Sequence, residues 1–89
     1  MTMTPDEIFA ILRRTLDGMG EQDLSCFCSS NPREPYRYVV VIGKIGCEML
    51  IEFKFDSEDC VNVRVLKSEG FGPGRTGRIT RTLVHNLRE

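Results

Sequence analysis

Arg78, Arg81, His85 and Arg88 recur at helical spacing in the segment RTGRITRTLVHNLRE. At roughly 100° per residue they share one face, while Ile79, Leu83, Val84 and Leu87 share the opposite one. The apolar side must dock on the rest of the fold. That leaves a cationic edge facing outward beside the turn Gly70-Phe71-Gly72-Pro73-Gly74. Free N–H groups at the start of such a helix, flanked by Arg75 and Arg78, favour phosphate or carboxylate. The competing reading is a glycine-rich turn followed by a helix whose outer face is simply basic.

Gly72-Pro73-Gly74-Arg75-Thr76-Gly77 spells G-x-G-x-x-G. A dinucleotide site needs a second parallel strand after the helix and an acidic residue about 20 positions on. Neither follows here, so a Rossmann site is excluded. Nucleophilic catalysis has no support either: His85 is the lone histidine, set among arginines, and no serine or cysteine pairs with it from sequence. Carboxylates in Asp56-Ser57-Glu58-Asp59 form an exposed turn, and exposure does not raise a carboxyl pKa. No enzyme activity is expected.

The four cysteines form no C-x-x-C pair. Cys26 and Cys28 are two apart on one strand face, and Cys47 and Cys60 are scattered. Zinc needs two close ligand pairs. Reduced, largely buried thiols are expected, with no metal and no cofactor.

These residues belong to a chain of 89 residues with 40% apolar and 28% charged content, enough for one modest core. The net charge of −1 conceals an asymmetry. Residues 1–63 carry six Lys and Arg against eleven Asp and Glu, whereas residues 64–89 carry six against two. An anionic partner would meet the second part, unless the two parts neutralise each other within the fold. No apolar run approaches the ~18 residues of a membrane span. The start MTMTPDE has no basic n-region or hydrophobic h-region, so a cytoplasmic location is expected.

Thr4-Pro5-Asp6-Glu7 reads as a capping box opening a helix on which Ile8, Leu12, Leu16 and Met19 recur. Gly18 and Gly20 offer positions for its left-handed cap. Arg13 and Arg14 lie off the apolar stripe. Leu24–Ser29 reads as a short edge strand and Tyr36–Ile42 as a second strand after a loop, SSNPREP. Gly43–Gly46 turns the chain into Cys47–Phe55, and Val61–Leu66 alternates after the acidic turn. Hairpin-length links demand antiparallel pairing. The expectation is one α+β domain over residues 1–89: a two-layer sandwich of four antiparallel strands with both helices on one face, in the order α-β-β-β-β-α.

Two layers leave one sheet face uncovered. Val39, Val41, Leu50 and Leu66 point that way, among Glu48, Glu52 and Arg64, and together would form a patch for a protein partner. A one-residue register shift would invert this assignment.

The segments EIFAILRRTLDGMG, MLIEFKF, VNVRVLKSEG and RITRTLVHNL, in this order, resemble the kinase-associated domain of MARK-, SAD- and checkpoint-type serine/threonine kinases. The resemblance covers most of the chain, in pattern more than in identical residues. It implies a non-catalytic regulatory domain that binds acidic phospholipids at membrane surfaces or restrains its own kinase domain. It places lipid contacts at Arg64 and Lys67, at Arg75, Arg78 and Arg81, and at Arg13 and Arg14. The family's aromatic-basic pair before the closing helix is replaced here by Thr76-Gly77-Arg78, with Phe71 as a substitute from the loop. The implied partners are an acidic membrane surface, reached peripherally, and a kinase domain or another subunit. The order α-β-β-β-α with a basic last helix also resembles a double-stranded-RNA-binding domain. Nucleic acid is the weaker expectation, because the loop lacks a lysine cluster and the pI is 5.8.

Overall fold

A computed structural model describes residues 3–56 and 60–88. The expected acidic turn falls largely on residues 57–59, outside the described residues.

Helix α1 spans Pro5–Gly18. Its start is chemically fixed. Thr4 Oγ1 accepts from the Glu7 backbone N–H at 3.1 Å, and Glu7 Oε1 accepts from the Thr4 N–H at 3.3 Å. Pro5 occupies a first-turn position where no N–H partner is needed. Its end is equally defined. Gly20 takes φ +78°, which brings the Glu21 N–H onto Leu16 O at 2.8 Å and the Gly20 N–H onto Asp17 O at 3.2 Å. These two bonds satisfy carbonyls that the last turn would otherwise leave open.

The strands β1 (Ser25–Asn31), β2 (Glu34–Lys44), β3 (Cys47–Phe55) and β4 (Val61–Glu69) form one antiparallel sheet in sequence order. Helix α2 spans Pro73–Leu87. Ile8, Leu12 and Leu16 of α1 and Ile79, Leu83 and Leu87 of α2 pack on one sheet face against Val40, Ile42, Met49, Ile51 and Phe53. Burying each such side chain contributes about 2 kcal/mol. Tyr38 meets Phe55 edge-on at 5.6 Å, and its hydroxyl donates to Met3 O. Asn86 Nδ2 donates to Thr15 Oγ1 at 2.7 Å and joins the two helices. The arrangement is the expected α-β-β-β-β-α sandwich.

Several local expectations are corrected. SSNPREP is no loop: β1 and β2 extend into it, and only Pro32 and Arg33 turn the chain, with the Arg33 N–H held by Asn31 Oδ1 at 3.0 Å. Helix α2 opens at Pro73, two residues before Arg75, because Pro73 suits the first turn. Phe71 is buried in the core rather than offered from a loop. The thiols are not uniformly buried: Cys28 is buried, Cys26 and Cys47 are half-buried, and Cys60 is exposed.

Strand β4 carries an irregularity opposite Leu50 and Ile51. Leu50 pairs with Lys67 and Ile51 with Val65, so Leu66 is the extra residue. The bulge bends β4 at this point, where Leu66 is exposed.

Candidate functional site

Pairing register decides which side chains share the open face. Val39 lies beside Ser29 and Glu52, and Glu52 beside Arg64. The next row runs Phe27, Val41, Leu50, Lys67. Core residues of the same strands, such as Val40 and Ile51, point to the helices, so these rows point away from them. Val39, Val41 and Leu50 are half-buried by their neighbours alone, and Leu66, the unpaired residue of the bulge, is 42% exposed. Three of the four expected interaction residues, Val39, Val41 and Leu50, are therefore brought together.

Phe27 was missing from the expected patch. It is 63% exposed and stands beside Val41 on the edge strand. The signal was present in the sequence: if Cys26 and Cys28 share the inner face, Phe27 must point the other way.

Charged groups frame the apolar rows unevenly. At one end Arg37 pairs with Lys54, and Lys54 with Asn62. At the other end Gly43, Glu48 and Glu69 align. Glu52, between them, is 5% exposed although it lies on the open face. Arg37 Nε donates to its Oε2 at 2.5 Å, and Arg64 Nη2 lies 3.5 Å from Oε1. The Arg37 hydrogen bond, and secondarily the Arg64 charge, hold the Glu52 carboxyl below its ordinary range against the opposing effect of burial. Lys54 is exposed and closes no ion pair among the described residues.

The expected lipid-contact residues are divided among separate surfaces. Arg64 and Lys67 lie on the open sheet face, where Lys67 Nζ bonds Glu48 at 3.0 Å and approaches Glu69 at 3.6 Å. Arg75 and Arg78 turn instead toward Glu21, just past the end of α1. Arg75 Nε donates to Glu21 Oε1 at 3.2 Å and its Nη2 to Oε2, while Arg78 lies at 3.6 Å. The Arg75 guanidinium also sits 4.9 Å above the Phe71 ring. Arg13 bonds Asp17 at 3.0 Å and Leu24 O at 2.8 Å, tying α1 to the start of β1. Arg14 and Arg81 remain exposed without an ion pair among the described residues.

Helical periodicity placed Arg78 and Arg81 on the outer edge of α2 but could not show which cations a carboxylate meets. Five of the seven face an acidic partner. Their local positive potential is correspondingly reduced.

No family model, curated protein or solved structure matches this chain. Among the described residues, no group of three or more His, Cys, Asp or Glu side chains is placed to hold a metal ion. No helix among them is long and apolar enough to cross a membrane.

Proposed function

We propose that this domain is a non-catalytic interaction module that docks on another folded protein surface through its open sheet face. The observation that carries this reading is the contiguous apolar row Phe27–Val41–Leu50, extended by Val39, on a face that no helix covers. Scattered exposed apolar residues are normal, but adjacent ones on a flat, hydrogen-bonded surface are a preformed contact area. The sheet is rigid, so docking costs little ordering entropy. A regulatory role beside a kinase domain, implied by the resemblance to kinase-associated domains, would use the same surface.

A second reading, recruitment to acidic membranes, draws on Arg14 and Arg81, the two expected lipid-contact cations that have no ion pair among the described residues. Each cation near an anionic bilayer is worth about 1 kcal/mol. Two give weak attraction, and the other five would first have to leave their carboxylates.

The test compares Val41→Asp with Leu50→Asp in one variant, and Arg78→Glu with Arg81→Glu in another. Both keep the wild-type circular dichroism if only surfaces change. The interaction reading expects a stoichiometric protein complex to survive the arginine changes and to be lost with the sheet changes. Co-sedimentation with phosphatidylserine-rich vesicles that is salt-weakened and lost only with the arginine changes would replace it by the membrane reading.

A further inference from the structure

We infer that two copies of this chain join through the free edge of strand β1, in antiparallel pairing about a two-fold axis normal to the sheet at Cys28. This surface is distinct from the open face, so the inference goes beyond the interaction reading and does not rest on it.

The pairing pattern fixes which backbone groups the edge offers. Lys44 and Cys47 close the two-residue turn Ile45-Gly46, so they exchange hydrogen bonds between β2 and β3. Alternation then turns the N–H and C=O groups of Gly43, Val41 and Val39 toward β1, where they meet Ser25, Phe27 and Ser29. The groups of Cys26, Cys28 and Ser30 are left pointing out of the sheet, because β1 pairs only with β2 among the described residues. Leu24, next in the same series, has its carbonyl taken by Arg13 Nη1 at 2.8 Å.

These outward groups are complementary to themselves in one register. Reversal about Cys28 sets Cys28 against Cys28 of the second copy and Cys26 against Ser30, which closes about six hydrogen bonds. A shift by one position would set outward-pointing residues against inward-pointing ones. Other even registers waste a partner: one pairs Ser30 with Leu24, whose carbonyl Arg13 already holds, and another pairs Cys26 with Pro32, which has no N–H. In the chosen register Phe27, 63% exposed, faces Ser29 of the second copy on the outer side of the joined sheet.

The two edges of the sheet differ in how they are guarded. Strand β1, Ser-Cys-Phe-Cys-Ser-Ser-Asn, carries no charge, whereas β4 carries Arg64, Lys67, Glu69 and the bulge at Leu66. Charges and bulges are what keep an edge from pairing. Pairing through β1 alone closes at two copies and does not propagate.

Helix α1 supplies a second contact. Thr15 faces α2 through Asn86, and Arg13 faces the start of β1 through Leu24 O. Phe9, one turn before Arg13 and 41% exposed, therefore lies on the flank of α1 turned away from α2. Four strands span about 14 Å and two helices pack about 10 Å apart, so α1 stands about 2 Å inside β1. Across a new strand pair the two α1 helices come about 9 Å apart, an ordinary packing distance, with Phe9 on the facing flank. The charged groups on that flank are Asp6, Arg13 and Asp17, and Arg13 is already bonded to Asp17. The joined surface is about 23 Å long and about 20 Å tall, or about 450 Å² per copy. That is below the ~800 Å² per partner of tight interfaces, so micromolar to millimolar association is expected.

Sedimentation equilibrium of the purified chain in excess reductant, from roughly 10 μM to 1 mM, tests this. The weight-average mass should rise from 10.1 kDa toward twice that value. Ser30→Pro removes an outward N–H and no bond to β2, so it should keep the wild-type circular dichroism and weaken association about tenfold or more. Phe27→Lys alone and Ser29→Glu alone should each weaken it, and the two together should associate several-fold more tightly than either, because the register sets them opposite each other. Leu50→Asp, on the open face, should leave the mass unchanged. A mass that stays at 10.1 kDa throughout overturns the proposal. So does association unaffected by Ser30→Pro, a double variant as weak as either single one, or association lost with Leu50→Asp. If the chain stays monomeric but binds a synthetic peptide of sequence SCFCSSN, the edge takes a foreign strand and the second copy is rejected.

Discussion

Glu21 and Arg75, 54 residues apart in the chain, are joined by two hydrogen bonds that tie the end of α1 to the first turn of α2. Glu21 is 7% exposed, and Arg75 is held from its other side by Phe71. Removing the carboxylate leaves a half-buried guanidinium without its main acceptor. Glu21→Ala should therefore cost about 2 kcal/mol, read as a fall of about 10 °C in Tm for a domain of this size. Exposed Asp17→Ala, which also breaks an arginine pair, should cost less than half of that. Equal effects would mean that the Glu21 cluster does not fasten the helices.

The glycines make opposite predictions. Gly70 takes φ +77°, and a Cβ there would meet Gly46 O at 2.3 Å and Cys47 Cβ at 2.7 Å. Both the backbone conformation and the β2–β3 turn oppose a side chain. Gly70→Ala should destabilise by about 3 kcal/mol in urea unfolding. Gly18 lies in the last turn of α1 with nothing within 4 Å of its added Cβ and no positive φ. Gly18→Ala should stabilise by about 0.5–1 kcal/mol, by restricting the unfolded chain.

Those contrasts mark how far the sequence could be read. The Thr4–Glu7 box, the β3 alternation and the outward set Val39, Val41 and Leu50 were legible because each is a local pattern with a fixed period. The Pro32-Arg33 turn was not, because serine-rich β1 has little strand preference and two prolines read as a loop. The partners Glu21–Arg75 and Glu52–Arg37 were not legible for a different reason. Periodicity assigns a residue to a face, whereas an ion pair requires knowing which two faces meet. Glu21 follows Gly20 with no local pattern to mark it, and it is buried where Arg75 of α2 meets it.

The cysteines should react in order of exposure. Burial, with a smaller contribution from Cys26, pushes the Cys28 thiol up to about 11. Burial also raises Cys26, partly offset by Arg13. The reactive species is the thiolate, so near pH 8 buried Cys28 should be alkylated far more slowly than exposed Cys60. Peptide mapping after timed iodoacetamide treatment measures this. Comparable rates at both positions would show that β1 detaches from the sheet in the native state. Cys28 also makes a contribution to alkaline stability with a definite sign. Its folded pKa lies above the ordinary 9.0, so this contribution is complete below pH 9.0 and is lost as pH rises toward about 11.

Acid stability should depend on Glu52. Its carboxyl is held below the ordinary 4.5 chiefly by the Arg37 hydrogen bond, so the folded protein takes up this proton less readily than the unfolded chain. The resulting stabilisation is present above pH 4.5 and disappears as pH falls through the depressed folded value. Asp23, lowered by its hydrogen bond to Lys44, acts in the same direction from the ordinary 3.8 downward. Glu52→Gln keeps the shape of the side chain but removes the titration and weakens both arginine contacts. The variant should be less stable at neutral pH and show a shallower loss of stability between about pH 5 and pH 3. Urea midpoints across that range give the slope directly. If the slope matches wild type while neutral stability falls, Glu52 contributes geometry without proton linkage, and the acid limb belongs to Asp23 and the remaining carboxylates. A reduced slope assigns the limb to the Arg37–Glu52–Arg64 cluster on the open face, where two arginines meet one nearly buried carboxylate.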